Sequence, residues 1–124
     1  MRAASLASRG SKGVGDRGEE IALRHLLAEG YELVERNYRT RYGEIDLILA
    51  DGETLVFVEV KLRRSAAFGD PAEAVTPRKQ QTIRAIAEQY IAERETGFEE
   101  ARFDVVGILG YGPEAGLRHI PGAF

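Results

Sequence analysis

The stretch GEIDLILADGETLVFVEVKLRR, residues 43–64, decides the fold. Two apolar runs lie on either side of Asp51 and Gly52, and such a pair is typical of the loop of a tight β-hairpin because glycine readily adopts positive φ. With these two residues as the loop of a type I′ turn, Asp46 pairs with Phe57 across the hairpin. The stretch therefore predicts two antiparallel strands with a defined register.

This register brings charged side chains onto one face of the hairpin. Because side chains alternate between faces, Glu44, Asp46, Glu59 and Lys61 lie on the same side, and Asp46 and Glu59 become diagonal neighbours with Cβ atoms about 7 Å apart. A four-residue loop keeps this arrangement, whereas a three-residue loop with a bulge reverses it. The strands are otherwise apolar, as in strands buried on both faces. Charges there are costly unless they are paired or bind a metal ion, so this face is the candidate site.

The composition limits what the chain can be. Its 124 residues are enough for one domain with one core. The chain has no cysteine and two histidines, which excludes disulfides and disfavours a histidine-rich zinc site. Any metal ion is expected to bind oxygen ligands, which favours Mg²⁺ or Mn²⁺. No apolar run reaches the length of a membrane span, so we expect a cytoplasmic protein without a membrane partner.

The distribution of charge is more informative than its sum. The formal net charge of −3 argues against constitutive binding to nucleic acid. Basic residues nevertheless gather near the hairpin and at the start of the following helix, where they are either solvated side chains or a track for phosphates. They are Arg36, Arg39, Arg41, Lys61, Arg63, Arg64, Arg78, Lys79 and Arg84.

The chain begins with a segment that has no acidic residue. Residues 1–15 are rich in serine, alanine, glycine and basic residues, and we interpret them as a mobile tail before a single domain over residues 16–124. Residues 16–30 predict a helix in which Asp16 caps the N-terminus and Glu19 completes a capping box. Glu19 also projects near the centre of the apolar stripe, so it either serves as a cap or points toward a site on the packed element.

The remaining elements follow from apolar periodicity and from turn residues. Thr76 and Pro77 start a second helix with an N-cap and a proline in the first turn. The other predicted segments are a strand at residues 31–39, a loop at 65–75, the second helix through residue 97, and strands at 101–109 and 117–120. Asp104, inside an apolar strand, either pairs with an arginine such as Arg102 or Arg36 or belongs to the site, and we expect the structural pairing. The order predicts a mixed sheet flanked by helices, an α/β architecture.

The charged face of the hairpin suits a particular chemistry. Two carboxylates such as Asp46 and Glu59 can hold Mg²⁺, which lowers the pKa of bound water and neutralises charge on a phosphodiester. Lys61 could orient the attacking water or stabilise the transition state, and Glu19 could be a further ligand. The alternative is a buried ion pair of Lys61 with Asp46 or Glu59 that has only a structural role.

Several segments together carry a resemblance to a known family. They are GEEIA at 18–22, RNYRTRYGEIDLI at 36–48, FVEVK at 57–61 followed by Arg63, VTPRKQ at 75–80 and RFDVV at 102–106. The hairpin resembles the PD-(D/E)xK nuclease superfamily, and the chain more closely resembles the small bacterial YraN-like family, also called the UPF0102 proteins. Ile45 replaces the proline that names the superfamily motif, which costs little because the carboxylate performs the chemistry.

The resemblance implies a restriction-endonuclease-like fold with an αβββαβ core, akin to Holliday-junction resolvases. It implies that Asp46, Glu59 and Lys61 form the catalytic core with Glu19 as the helix acid, and that Asp46, Glu59 and Glu19 bind the metal. We therefore predict a Mg²⁺- or Mn²⁺-dependent endonuclease that acts on DNA, with branched or damaged DNA as the expected substrate. The predicted phosphate contacts are Arg39, Arg41, Arg63, Arg64 and Lys79.

Other functions remain compatible with the same residues. A non-catalytic nucleic-acid-binding module would retain the fold without hydrolysis. A protein-interaction adaptor would use the charged cluster only as a structural element. A homodimer would allow a small nuclease to meet two strands, although the sequence does not determine the oligomeric state.

Overall fold

A computed structural model describes residues 14–63, 71–110 and 116–124. The elements in chain order are α1 (Val14–Ala28), β1 (Glu32–Thr40), β2 (Gly43–Asp51), β3 (Thr54–Arg63), a 3₁₀ helix (Pro71–Ala74), α2 (Pro77–Arg94), β4 (Glu100–Leu109) and β5 (Gly116–Ile120). The predicted tail up to residue 13, most of the predicted loop at 65–75 and Arg64 lie outside the described residues.

The strands form one mixed sheet in the order β1-β2-β3-β4-β5. β3 and β4 run parallel and are connected through α2, whereas the other neighbours are antiparallel. This confirms the predicted α/β fold, and the sheet with its two helices is consistent with a restriction-endonuclease-like core. In the described part of the chain, no helix is long and apolar enough to cross a membrane.

The predicted hairpin is present, but its loop lies one residue further along. β2 and β3 pair Asp51 with Thr54, so the loop consists of Gly52 and Glu53. Gly52 has a φ of 63° and Glu53 is not in the positive-φ region, as in a type II′ rather than a type I′ turn. Asp51 instead ends β2 and forms an ion pair with Arg102 at 3.3 Å. The pairing moves by two residues from the predicted register, and a shift by an even number preserves the predicted faces within the paired residues, 47–51 and 54–58.

Two apolar clusters fill opposite faces of the sheet, one beneath each helix. Leu55 and Phe57 of β3 pack beneath α2, whereas Val56 and Val58 pack beneath α1. β3 is therefore covered on both faces, as its apolar sequence predicts. Tyr38 belongs to the cluster beneath α2 and is buried, so it is a core residue rather than a free surface for stacking.

The two helices differ in how well the sequence locates their starts. α1 begins at Val14, so Asp16 lies within the helix instead of capping it. α2 begins as predicted, because the Thr76 side chain accepts the backbone N–H of Lys79 at 3.2 Å and a proline occupies the first turn. It ends at Arg94, earlier than predicted. The cap fixes the turn from which Lys79 extends toward β3.

Asp104 in β4 is fully buried and fully paired. Its carboxylate accepts two hydrogen bonds from the Arg102 guanidinium, at 2.9 and 3.0 Å, and contacts Nε2 of His119 at 2.7 Å. Arg102 in turn donates to the hydroxyl of Tyr31 at 2.7 Å. The predicted structural pairing is confirmed for Arg102, whereas Arg36 bonds a glutamate of α1 instead.

Replacing Gly107 with alanine should destabilise the fold. A Cβ atom at Gly107 would lie 2.2 Å from Cγ of Pro71 and 2.5 Å from its Cβ, so the 3₁₀ helix would have to move away from β4. We expect a loss of about 1–3 kcal/mol in the free energy of unfolding, as for other overpacked sites. Urea denaturation measures this loss. Gly116→Ala is the matched control, because no heavy atom lies within 4 Å of its added Cβ; equal loss in both variants would contradict the prediction.

Candidate metal centre

β2 separates from β3 at Asp46 but stays paired with β1. Its ladder with β3 ends at Leu47, and beyond that residue the Asp46 carboxylate accepts the backbone N–H of Val60 at 2.8 Å. On the other side, Asn37 of β1 lies across from Asp46 and has a left-handed φ of 51°. A side-chain oxygen of β2 therefore bonds the backbone of β3 where the backbone ladder has ended.

The separation also reverses the faces of β2. Leu47 packs beneath α1, whereas Ile45, two positions earlier, packs beneath α2. In a regular strand these two side chains would lie on the same face. Asp46 lies at the reversal, so its carboxylate is placed between the two apolar clusters instead of inside one of them.

Three carboxylates converge at this point. Oxygens of Glu19, Glu44 and Asp46 all lie within 4.8 Å of one another, and the three residues are partly buried. Nδ2 of Asn37 donates to Glu19 at 3.0 Å and to Glu44 at 2.7 Å, and so holds an acid of α1 beside an acid of β2. A donor set made only of carboxylate oxygens suits a hard cation such as Mg²⁺ or Mn²⁺.

This cluster differs from the predicted ligand set in one member. Glu19 and Asp46 belong to both sets, but Glu44 rather than Glu59 is the third carboxylate of the cluster. The sequence did contain a signal for Glu44, because it precedes Asp46 by two positions on the same predicted face. That signal did not distinguish a ligand from a solvated acid at the end of a strand.

Glu59 lies beside the cluster and is paired with two lysines. Its side chain is 9% exposed, and its Oε2 lies 3.4 Å from Nζ of Lys61 and 3.5 Å from Nζ of Lys79. Lys61 comes from the same strand and Lys79 from the first turn of α2. The Lys61–Glu59 ion pair considered from the sequence is thus present, together with a second cation that the sequence did not assign to Glu59.

The surroundings of Asp46 favour its protonated form. Burial and the charge of Glu59 raise the pKa of Asp46 to about 8, the hydrogen bond from Val60 opposes the rise, and Glu19 and Glu44 add to it. Ionised carboxylates this close repel one another unless a cation lies between them. Binding of a divalent cation is therefore expected to displace a proton.

Of the basic residues predicted to contact phosphates, only some lie near the candidate centre. The structure describes four of them: Arg39, Arg41, Arg63 and Lys79. Arg39 lies 3.4 Å from the Glu44 carboxylate and Lys79 pairs with Glu59, so both approach the candidate centre. The guanidinium of Arg41 lies 5.1 Å from the ring centroid of the adjacent tyrosine. Arg63 ends β3, and Arg64 is outside the described residues.

The residues of the candidate centre all lie within the part of the chain that matches a known protein family. The model of the uncharacterised protein family UPF0102 matches residues 18–108. A UPF0102 protein of Rhodococcus opacus is 48% identical over 112 residues, which are 90% of this chain and 95% of the relative. UPF0102 proteins of Syntrophomonas wolfei and Trichlorobacter lovleyi are 47% and 44% identical, over 86% and 96% of this chain and 93% and 95% of the relatives.

Replacing Asp46 with asparagine should flatten the pH dependence of stability. Because the raised pKa makes the folded protein bind this proton more tightly than the unfolded chain does, the free energy of unfolding of the wild type falls as the pH rises from about 4 to about 8 and is level above that range. One such proton gives a slope of at most about 1.4 kcal/mol per pH unit, and Asp46→Asn removes it. Urea denaturation of chelator-treated protein across this range measures the slope.

The matched control for this experiment is Glu53→Gln. Glu53 is an exposed carboxylate in the loop of the same hairpin, so this variant should keep the slope of the wild type. Identical slopes for the wild type and Asp46→Asn would show that the carboxyl group of Asp46 is not the titrating group.

Proposed function

This chain belongs to the UPF0102 family, and we propose that it is a metal-dependent endonuclease that hydrolyses DNA phosphodiesters. One observation carries the proposal: the carboxylates of Glu19, Glu44 and Asp46 converge where β2 leaves its ladder with β3, beside Glu59 and its lysines. Acids so close together are costly in a partly apolar environment unless a cation binds them. The resemblance of the hairpin to PD-(D/E)xK nucleases supports the same chemistry.

The donor set fits Mg²⁺ or Mn²⁺. Asp46, Glu19 and Glu44 supply the oxygens, and Glu59 is a further donor once its lysines release it. When bound, the cation would lower the pKa of a coordinated water and neutralise charge on the scissile phosphate. Asn37 holds Glu19 and Glu44 in place for this purpose, as the partners of metal ligands commonly do.

The two lysines are suited to a role in the reaction. Lys61 and Lys79 both pair with Glu59, beside the three carboxylates of the centre. With the cation bound, Glu59 would be a further donor to it, and both ammonium groups would then be available to the substrate. Lys61 would orient the attacking water or stabilise the charge that develops on the phosphoryl oxygens. Lys79, Arg39, Arg41, Arg63 and Arg64 contact phosphates of the DNA.

The proposed substrate is DNA, with branched or damaged structures as the preferred forms. A homodimer would present two centres to two strands, which is the arrangement that a branched substrate requires.

A second function remains, and one contact favours it. The pairing of Glu59 with Lys61 at 3.4 Å is also what a structural ion cluster would contain. In that case the chain is a non-catalytic nucleic-acid-binding module. Its DNA affinity would fall steeply with salt because counterions are released from the phosphates on binding. A protein-interaction adaptor would bind no DNA even at low salt.

Binding of Mn²⁺ should require Asp46. Isothermal titration of chelator-treated protein should show binding by the wild type and by Glu53→Gln, and at least about a tenfold loss of affinity in Asp46→Asn, because a ligand has been removed. In buffers of different ionisation enthalpy, the wild type should release a proton near pH 7, since Asp46 is largely protonated before the cation binds. Absence of binding by the wild type, with and without DNA, would exclude the metal centre.

Cleavage should depend on the same carboxylate, whereas DNA binding should not. With Mg²⁺ or Mn²⁺, Asp46→Asn should lower the rate of cleavage of forked or four-way DNA by about 100-fold or more, and its DNA affinity should be unchanged or higher because a negative charge near phosphate is lost. Gel assays of labelled substrates measure both. Glu53→Gln should cleave as the wild type does. Equal cleavage by Asp46→Asn would overturn the assignment, and a wild type that binds metal and DNA without cleavage would favour the binding module.

A further inference from the structure

An open groove lies next to the candidate metal centre. It runs between the β1–β2 turn and the first turns of α2 and has a volume of about 310 Å³. Its lining includes Tyr42, Glu44, Thr76, Arg78, Lys79 and Ile86, and we call it the turn groove. Glu44 and Lys79 belong both to the turn groove and to the surroundings of the carboxylate cluster, so whatever lies in the groove lies next to the centre.

The groove wall offers an aromatic face. Tyr42 is 60% exposed at the tip of the β1–β2 turn. The Arg41 guanidinium lies 5.1 Å from the centroid of the ring and donates to its hydroxyl at 3.0 Å, which holds the ring in place on one side. The exposed ring is therefore a stacking platform with a cation attached.

The opposite wall offers a cation to an anionic ligand. Arg78 lies in the first turn of α2, where the helix dipole disfavours positive charge. No described residue forms an ion pair or hydrogen bond with its guanidinium. The groove hydroxyls, by contrast, are already used, because Thr76 accepts from the backbone of Lys79 and Thr82 donates to the carbonyl of Arg78. The groups that remain available to a ligand are the ring face of Tyr42, the guanidinium of Arg78 and the apolar side chains of the groove, such as Ile86.

We propose that the turn groove binds one unpaired nucleotide next to the scissile phosphate, with its base on Tyr42 and its phosphate on Arg78. This inference rests on the proposed function, and it refines the substrate class. A base inside a duplex is stacked on both sides, so it reaches an aromatic side chain only when it is unpaired. A volume at the lower end of the usual range of roughly 300–1,000 Å³ for ligand pockets fits one nucleotide. The preferred substrate is then DNA with a single-stranded segment at the cleavage point, such as a fork or flap.

The test compares forked and continuous duplex DNA of the same sequence. Binding is measured by fluorescence anisotropy with Ca²⁺ as the added cation, and 2-aminopurine at the first unpaired nucleotide of the fork reports stacking. Tyr42→Ala should weaken binding of the fork by about tenfold, within the range that base–aromatic stacking contributes, remove the quenching of 2-aminopurine, and leave duplex binding unchanged. Tyr42→Phe should restore both properties. Leu27→Ala removes an apolar side chain of α1 that is exposed to 44% and serves as the control.

Arg78→Gln gives an independent measurement. It should lower the slope of log affinity against log salt for the fork by about 0.7, the value for one phosphate of a single strand. The groove is excluded if Tyr42→Ala binds the fork as the wild type does, or if it loses fork and duplex affinity equally. Absence of wild-type binding to either DNA at low salt also overturns it. Cleavage by the wild type is scored separately, so a Tyr42-dependent preference for forks without cleavage would support the groove and reject the nuclease.

Discussion

The arrangement of the candidate site depends on a single interruption of the sheet. At Asp46, β2 leaves the ladder with β3, and the carboxylate itself accepts a backbone N–H of β3 at 2.8 Å. Asn37 accommodates the same interruption on β1 by adopting φ of 51°, a conformation that asparagine tolerates better than most residues. The interruption reverses the alternation of β2, so that Ile45 packs beneath α2 although Leu47, two positions later, packs beneath α1.

Close packing of α1 brings the side chain of Glu19 to this point. Gly18 is buried, and an added Cβ would lie 3.8 Å from side-chain atoms of both Leu62 and Ile108. The helix therefore approaches the ends of β3 and β4 closely, and the next residue, Glu19, reaches Asn37 at 3.0 Å. The capping role considered for Glu19 does not apply, because α1 begins five residues earlier, at Val14. The position of Glu19 is therefore explained by its contact with Asn37 and not by a role in capping the helix.

Sequence reasoning recovered the parts that depend on local chemistry and on periodicity. The predicted faces hold for residues 47–51 and 54–58 despite the error in the loop, because the register moved by two residues and the side-chain period is also two. Before Asp46 the faces of β2 are reversed, so Glu44 does not share a face with Glu59 as predicted. The Thr76 cap followed from local residue preferences in the same way. The contacts of Glu44 with Glu19, and of Lys79 with Glu59, join elements far apart in the chain. No local sequence pattern indicates which distant elements meet, so these two contacts could be identified only from the folded structure.

The comparison of Asp46 with Asp104 shows why the former is the functional candidate. Both are acids within apolar strands, and the sequence analysis assigned Asp46 to the site and Asp104 to a pairing with an arginine. Burial raises the pKa of Asp104, but the hydrogen bonds from Arg102 and His119 outweigh it and hold that pKa below its ordinary value. Asp46 has one backbone donor and three acidic neighbours, which leave its pKa raised. Asp104 is compensated by the Arg102 guanidinium, whereas no cation among the described residues forms an ion pair with Asp46, and this makes Asp46 the candidate for a functional role.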